Sequence, residues 1–166
     1  MRAHGAVTPG YDADIAVVLE LLDGALATEL ICMLRYRRHA FSAQGIMAGP
    51  VRKEFLQHAA EEQVHADLIA TRIVQLGGTP NFDPGSLIDR AHASFGNAQT
   101  LLGMVAEDLV AERVAIDSYR QMIQYLKDHD STTRRMLEEI LAKEEEHAED
   151  LASLMLGVRE SMGRAS

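Results

Sequence analysis

Residues 55–76 constrain this chain more than any other stretch. Read at spacings of three and four, they place Phe55, His58, Glu62, His65, Ile69, Ile73 and Leu76 on one stripe, with Glu54, Gln57, Glu61 and Arg72 largely off it. The pattern predicts an amphipathic helix with a carboxylate and an imidazole in the middle of its buried face. Glu62 and His65, three residues apart, project about one turn from each other, the reach two ligands need to hold one metal ion on a rigid backbone. The alternative is a pair of core polar groups that satisfy each other. A single E-x-x-H pair does not decide between these readings, so the partners that other helices bring to it matter.

Three more long helices are predicted. The first spans residues 12–43, with the seam Ile15, Val18, Leu22, Ala25, Glu29, Cys32, Tyr36 and His39. Gly45 and the Gly49-Pro50 pair break it, and the helix of the opening stretch runs over residues 51–76 with Gly77 as its stop. A third, over residues 98–127, carries Leu102, Val105, Leu109, Glu112, Ile116, Tyr119, Ile123 and Leu126; a fourth, capped by Asp130 or Ser131, carries Leu137, Ile140, Glu144, His147, Leu151, Leu154 and Val158. Every helix thus places a Glu near the midpoint of a mostly apolar stripe, and Glu144 with His147 repeats the E-x-x-H pair. The intervals from Glu29 to Glu62 (33 residues) and from Glu112 to Glu144 (32 residues) nearly match, and Tyr36 and Tyr119 each follow their helix's Glu by seven. Two helix hairpins of common design follow from that echo.

Between the hairpins lies GGTPNFDPGSLIDRAHASFGN, residues 77–97, irregular apart from a short turn at residues 86–91. So long a connection is expected where the second and third helices run parallel, because the chain must travel back along the bundle. A helix of about 30 residues is about 45 Å long, and about 20 extended residues reach about 65 Å. The fold expected is all-α: a four-helix bundle with a long crossover between its second and third helices, formed by residues 11–166 behind a flexible arm at residues 1–10.

At 166 residues and 47% hydrophobic composition, a single domain with a sizeable core is expected. No apolar run approaches a membrane span and residues 1–9 lack the core of a signal peptide, so a cytoplasmic protein is expected. Cys32, the one cysteine, excludes a disulfide framework and any cysteine-based metal site within one chain. The net charge of −9 argues against a nucleic-acid partner and favours cations. The densest basic group, Arg35, Arg37 and Arg38, is expected on a solvated face or a subunit contact, and the off-seam Met33, Met47 and Met104 also point to subunit contacts.

Four carboxylates buried without compensation would cost many kcal/mol through desolvation and mutual repulsion. Two divalent metals neutralise four carboxylates charge for charge, and two imidazoles complete the ligand set. Oxygen and nitrogen donors in this mix suit iron or manganese, with zinc a frequent occupant. The expected ligands are therefore Glu29, Glu62, His65, Glu112, Glu144 and His147, with Glu29 and Glu112 terminal, Glu62 and Glu144 bridging, and one imidazole per metal. Asp108, one turn before Glu112, is a candidate partner for the second N–H of a ligating imidazole. Tyr36 and Tyr119 are placed either to pass electrons or to pack the seam; Tyr36 is kept as a candidate catalytic residue. His39, His58 and Glu61 either line a metal path or are solvated polar residues.

The motifs LATELICMLRYRRHA, EEQVHAD, QLGGTPN and EEEHAEDL, spread over residues 14–156, resemble the ferritin superfamily and the bacterioferritins in particular. The resemblance implies a ferroxidase: oxidation of Fe(II) by O2 or H2O2 at a di-iron centre, ferric mineral stored in a hollow homo-oligomer, and detoxification. Two departures matter. Bacterioferritins hold haem through a Met, whereas Gln63 follows Glu62 here, which argues against haem. Only 19 residues follow His147, too few for the extra helix of 24-subunit shells, so a 12-subunit shell of the mini-ferritin (Dps-like) kind is expected over a 24-mer. The competing expectation is a non-storing di-iron or di-manganese redox enzyme, such as a rubrerythrin-like peroxidase or manganese catalase.

Overall fold

The computed structural model describes residues 5–164; the first four residues of the expected arm lie outside them. Five α-helices and one 3-10 turn, with no strand, make up the described residues: α1 (Ile15–Ser42), α2 (Ala48–Gln75), α3 (Leu87–Arg90), α4 (Leu101–Leu126) and α5 (Ser131–Gly163), with the turn at Pro84–Ser86. No helix among them is long and apolar enough to cross a membrane.

The helix ends follow from local chemistry. Asp14 Oδ1 caps α1 by accepting from Ala16 N at 3.0 Å. Helix α2 starts three residues before the expected position, at Ala48, because Pro50 sits in its first turn, where the missing N–H has no intrahelical acceptor to lose. The break falls instead around Gly45, at φ +101°. Gly77, at φ +85°, ends α2: its N–H donates to Val74 O and that of Gly78 donates to Ile73 O, both at 2.9 Å, which satisfies two otherwise free carbonyls. A Cβ on Gly78 would sit 2.7 Å from Leu19 Cδ2, so the glycine also lets α2's end approach α1. Thr100 Oγ1 caps α4 by accepting from Gly103 N at 3.1 Å, three residues later than the expected start, and Asp130 Oδ1 caps α5 by accepting from Thr133 N at 2.9 Å.

The crossover is laid along α1. Arg90 Nη1 donates to Asp23 O at 3.2 Å, His92 N to Thr28 Oγ1 at 2.9 Å, and Arg35 Nη1 to Ser94 O at 2.6 Å, so crossover and helix advance together. The expected turn in this segment is α3. Having travelled the length of α1, the chain starts α4 near α1's second half, where Asp108 meets Arg35, and α4 runs back until α5 begins beside Arg72 at the end of α2. Helices α2 and α4 are therefore parallel, which is what the length of residues 77–97 requires.

The apolar core is in two parts. One surrounds Leu22, Ile69, Ile73, Met122, Leu137 and Ile140; the other surrounds Val51, Phe55, Val105, Leu109, Leu151 and Val158. A polar layer lies between them. Three expectations are corrected here. Met104 is 2% exposed and packs in the second core rather than facing outward, while Leu102 is only partly buried. Arg35 is 1% exposed: its Nε donates to Asp108 Oδ1 at 2.7 Å, and Asp108 Oδ2 lies 2.9 Å from His39 Nδ1. Arg72, expected off the stripe, is buried against Asp130 and Thr133. For the two arginines a carboxylate from another part of the bundle draws the guanidinium inward, a pairing that helical periodicity cannot register.

Because Arg35 and Asp108 are both buried, removing one leaves an uncompensated charge. Asp108→Ala is expected to destabilise the metal-free protein by about 3 kcal/mol, read as a lower urea midpoint at unchanged m-value. A loss below about 1 kcal/mol would show that Arg35 is satisfied without its carboxylate.

Candidate dinuclear metal centre

The polar layer contains the six residues that the sequence marks as candidate ligands. Glu29 comes from the middle of α1, Glu62 and His65 from α2, Glu112 from α4, and Glu144 and His147 from α5; none is more than 5% exposed. Each helix faces its apolar stripe into the bundle, so a Glu at mid-stripe is carried inward with it, and the hairpin design sets all four at one height.

Their donor atoms fall into two groups, each with all members within 4.8 Å of one another: Glu29, Glu62, His65 and Glu144, and Glu62, Glu112, Glu144 and His147. Glu62 and Glu144 belong to both. An ion in each group would meet one carboxylate and one imidazole of its own, with Glu62 and Glu144 common to both. Nδ1 is the inward nitrogen of both rings: His65 Nδ1 lies 2.8 Å from Glu144 Oε1 and 3.2 Å from Glu29 Oε2, and His147 Nδ1 lies 3.6 Å from Glu62 Oε1. Both oxygens of Glu62, Oε2 of Glu112, Oε1 of Glu144 and Nδ1 of His147 are buried without a hydrogen bond. So many orphaned acceptors in one place are too costly to be structural, and hard oxygen plus imidazole donors fit divalent iron, manganese or zinc.

Other groups hold these donors. His147 Nε2 donates to Glu61 Oε2 at 2.6 Å, which turns Nδ1 toward the carboxylates. Glu61, the neighbour of Glu62, reads from sequence as either a path residue or a solvated polar one, because nothing local links it to a residue 86 positions away. Asp108 does not play the part expected of it; it faces Arg35 and His39. Tyr36 donates to Glu112 Oε1, and Tyr119 donates to Glu29 Oε1. Each tyrosine thus crosses to the terminal carboxylate of the other hairpin, which gives the seven-residue echo its structural meaning. His58 is fully buried, its ring stacked on His147 at a centroid distance of 4.0 Å.

Protons and cations compete for these atoms. Burial, then the charge of Glu62, pushes Glu29 up to about 8. Burial and the charges of Glu62, Glu112 and Glu29 lift Glu144 well above the usual carboxylate range. Burial disfavours protonation of both imidazoles, but the surrounding carboxylates prevail and raise His65 to about 10 and His147 to about 9. Burial and Glu112 also push Glu62 upward, yet Glu29, His147 and His65 outweigh them and hold it below the ordinary value.

A four-helix bundle with a long crossover and a buried layer in which two groups of Glu and His donors share a pair of carboxylates defines a class of protein. The chain belongs to the ferritin family: the model of the ferritin-like domain matches residues 19–159. The bacterioferritin of Streptomyces coelicolor is 30% identical over 149 residues, covering 89% of this chain and 84% of that protein. Among solved structures, the dodecameric thioferritin of Bacteroides fragilis, a bacterioferritin-related protein, is 30% identical with a TM-score of 0.87 and 92% of each chain covered. Dps from Thermosynechococcus elongatus, 20% identical with a TM-score of 0.81, covers 84% of this chain and 90% of that one and shares the fold.

The protonation pattern sets the sign of a pH dependence. Native His65, His147 and Glu29 retain protons that the unfolded chain releases near 6.5 for imidazole and 4.5 for carboxyl. The contribution of the two imidazoles is fully present below about 6.5 and is lost as pH rises through about 9 and 10, and the Glu29 proton acts in the same direction up to about 8. Chelator-treated protein is therefore expected to lose thermal stability as pH rises through this window, while its affinity for a divalent metal rises, since binding must displace the protons. Calorimetry across pH checks both; a flat profile for the metal-free protein would contradict the assignment.

Proposed function

We propose that this protein is a ferroxidase and iron store that oxidises Fe(II) at its dinuclear centre with O2 or H2O2 and deposits ferric mineral inside a homo-oligomeric shell. The observation that carries the reading is the set of orphaned, buried donor atoms in two groups sharing Glu62 and Glu144. Two Fe(II) taken there lose two electrons together, matching the two that reduce O2 to H2O2, or H2O2 to water, with two protons. The residues hold the substrate ions close enough for that shared step: Glu29 and Glu112 as terminal ligands, Glu62 and Glu144 as bridges, and His65 and His147 through Nδ1. Tyr36 orients Glu112 through its hydroxyl and is placed to supply an electron beside the ions.

Storage requires a shell, and the surface suits one. Phe41 on α1, Val64 and Leu68 on α2, and Val110 on α4 stand 69%, 56%, 42% and 60% exposed, apolar area that contacts between copies would cover. The related Bacteroides fragilis protein is dodecameric, and we favour 12 subunits over 24 for this chain. One relative, from Synechococcus, is named a nutrient stress-induced DNA-binding protein; the net charge of −9 here opposes a nucleic-acid partner. Haem has no methionine ligand beside Glu62, and the compartment proposed is the cytoplasm.

Aerobic addition of many Fe(II) per subunit is expected to give a soluble ferric core that co-elutes with protein at the mass of twelve 18.3 kDa chains. Glu62→Ala combined with His147→Ala is expected to abolish the fast oxidation phase seen by stopped-flow absorbance. Oxidation as rapid as in the parent would place the site elsewhere, and a monomer or dimer that never forms a shell would remove storage in favour of a non-storing redox enzyme.

A further inference from the structure

Beside the dinuclear centre lies a second constellation that its ligand set does not use. Glu54 and His58 on α2 and Asp150 on α5 bring one donor atom each within 4.8 Å of one another. His58 Nε2 lies 3.2 Å from Glu54 Oε1 and 3.5 Å from Asp150 Oδ2. His58 is 0% exposed, and its Nε2 makes no hydrogen bond to either carboxylate. The other ring nitrogen explains why this matters. Tyr36 has one hydroxyl proton and gives it to Glu112, so its oxygen accepts from His58 Nδ1, 3.2 Å away. With Nδ1 carrying the proton, neutral His58 presents a bare lone pair at Nε2 to two carboxylates.

Three electron-rich atoms facing one another repel unless a positive charge sits among them. A proton on Nε2 would be aimed at one oxygen in a straight hydrogen bond, and neither oxygen takes that position. The three atoms lie within 4.8 Å of one another instead, close enough to share one ion. One neutral imidazole and two carboxylates carry charge −2, which a divalent cation balances, and the nitrogen and oxygen donors suit the same first-row ions as the neighbouring centre. Access is also provided. A surface cavity of about 350 Å³ has Glu54 and Asp150 in its wall, and the side chain of Asp150 is 52% exposed, leaving room for waters to complete the coordination.

We propose that Glu54, His58 and Asp150 form a third, mononuclear divalent-cation site outside the dinuclear centre. Two hydrogen bonds, His58 to Tyr36 and Tyr36 to Glu112, join it to a terminal carboxylate of that centre, and the His58 ring lies against His147. A cation held at this position is one imidazole away from the pair.

Crystals of the chelator-treated protein soaked in Co(II) test this. At the cobalt edge the parent is expected to show three anomalous peaks per subunit, with equilibrium dialysis giving three Co(II) per chain. In Glu54→Gln/Asp150→Asn, whose isosteric changes lie at the surface end of the site, the peak beside His58 is lost, the other two remain, and the stoichiometry falls to two. A parent with peaks only at the dinuclear positions, or a peak beside His58 that survives the double substitution, would overturn the proposal. A peak beside His58 with the dinuclear positions empty would support this site while sinking the ferroxidase reading.

Discussion

The rest of the structure turns on the cost of keeping four carboxylates in the interior of a helix bundle. Glu29, Glu62, Glu112 and Glu144 are each 1% exposed or less, and their layer divides the apolar core in two. Desolvation and like-charge repulsion would drive such a layer apart unless positive charge occupied it. Protons are a partial remedy, as the raised values of Glu29, His65 and His147 show. Divalent cations are a fuller one, because they use the acceptor atoms that protons leave without partners.

Such a layer needs a frame that does not yield to it, and the bundle supplies one at each end. Arg35, Asp108 and His39 tie the start of α4 to α1 and, through Ser94, hold the crossover against α1. Arg72, Asp130, Thr133 and Tyr11 tie the end of α2 to the start of α5. With both ends pinned by buried charge pairs and apolar packing on either side, the six buried Glu and His side chains meet at fixed height. Tyr36 and Tyr119 then lock the two hairpins to each other through Glu112 and Glu29, so that the terminal carboxylates are oriented by side chains from opposite halves of the fold.

Polar connections continue outward from the centre along one side. His147 is held by Glu61, stacked on His58, and His58 in turn reaches Tyr36 on one nitrogen and Glu54 with Asp150 on the other. The polar chain between the buried carboxylates and the half-exposed Asp150 is thus made of residues that contact one another in sequence. The opposite flank, at His65, has no comparable chain of imidazoles among the described residues, so the pseudo-symmetry of the ligands does not extend to their surroundings.

The one-dimensional pattern determined the bundle, the crossover and the six inward donors, because helical periodicity fixes which side chains share a face and a mid-stripe Glu cannot turn outward without taking its neighbours along. It also held the echo of Tyr36 and Tyr119, though not its meaning. What only the tertiary structure decided were contacts between helices: Arg35 drawn in by Asp108, Met104 turned into the core, Glu61 rather than Asp108 on the imidazole of His147, and His58 facing Glu54 and Asp150. These depend on the rotation and height of one helix against another, which the three-dimensional packing of both apolar layers sets and no local spacing encodes.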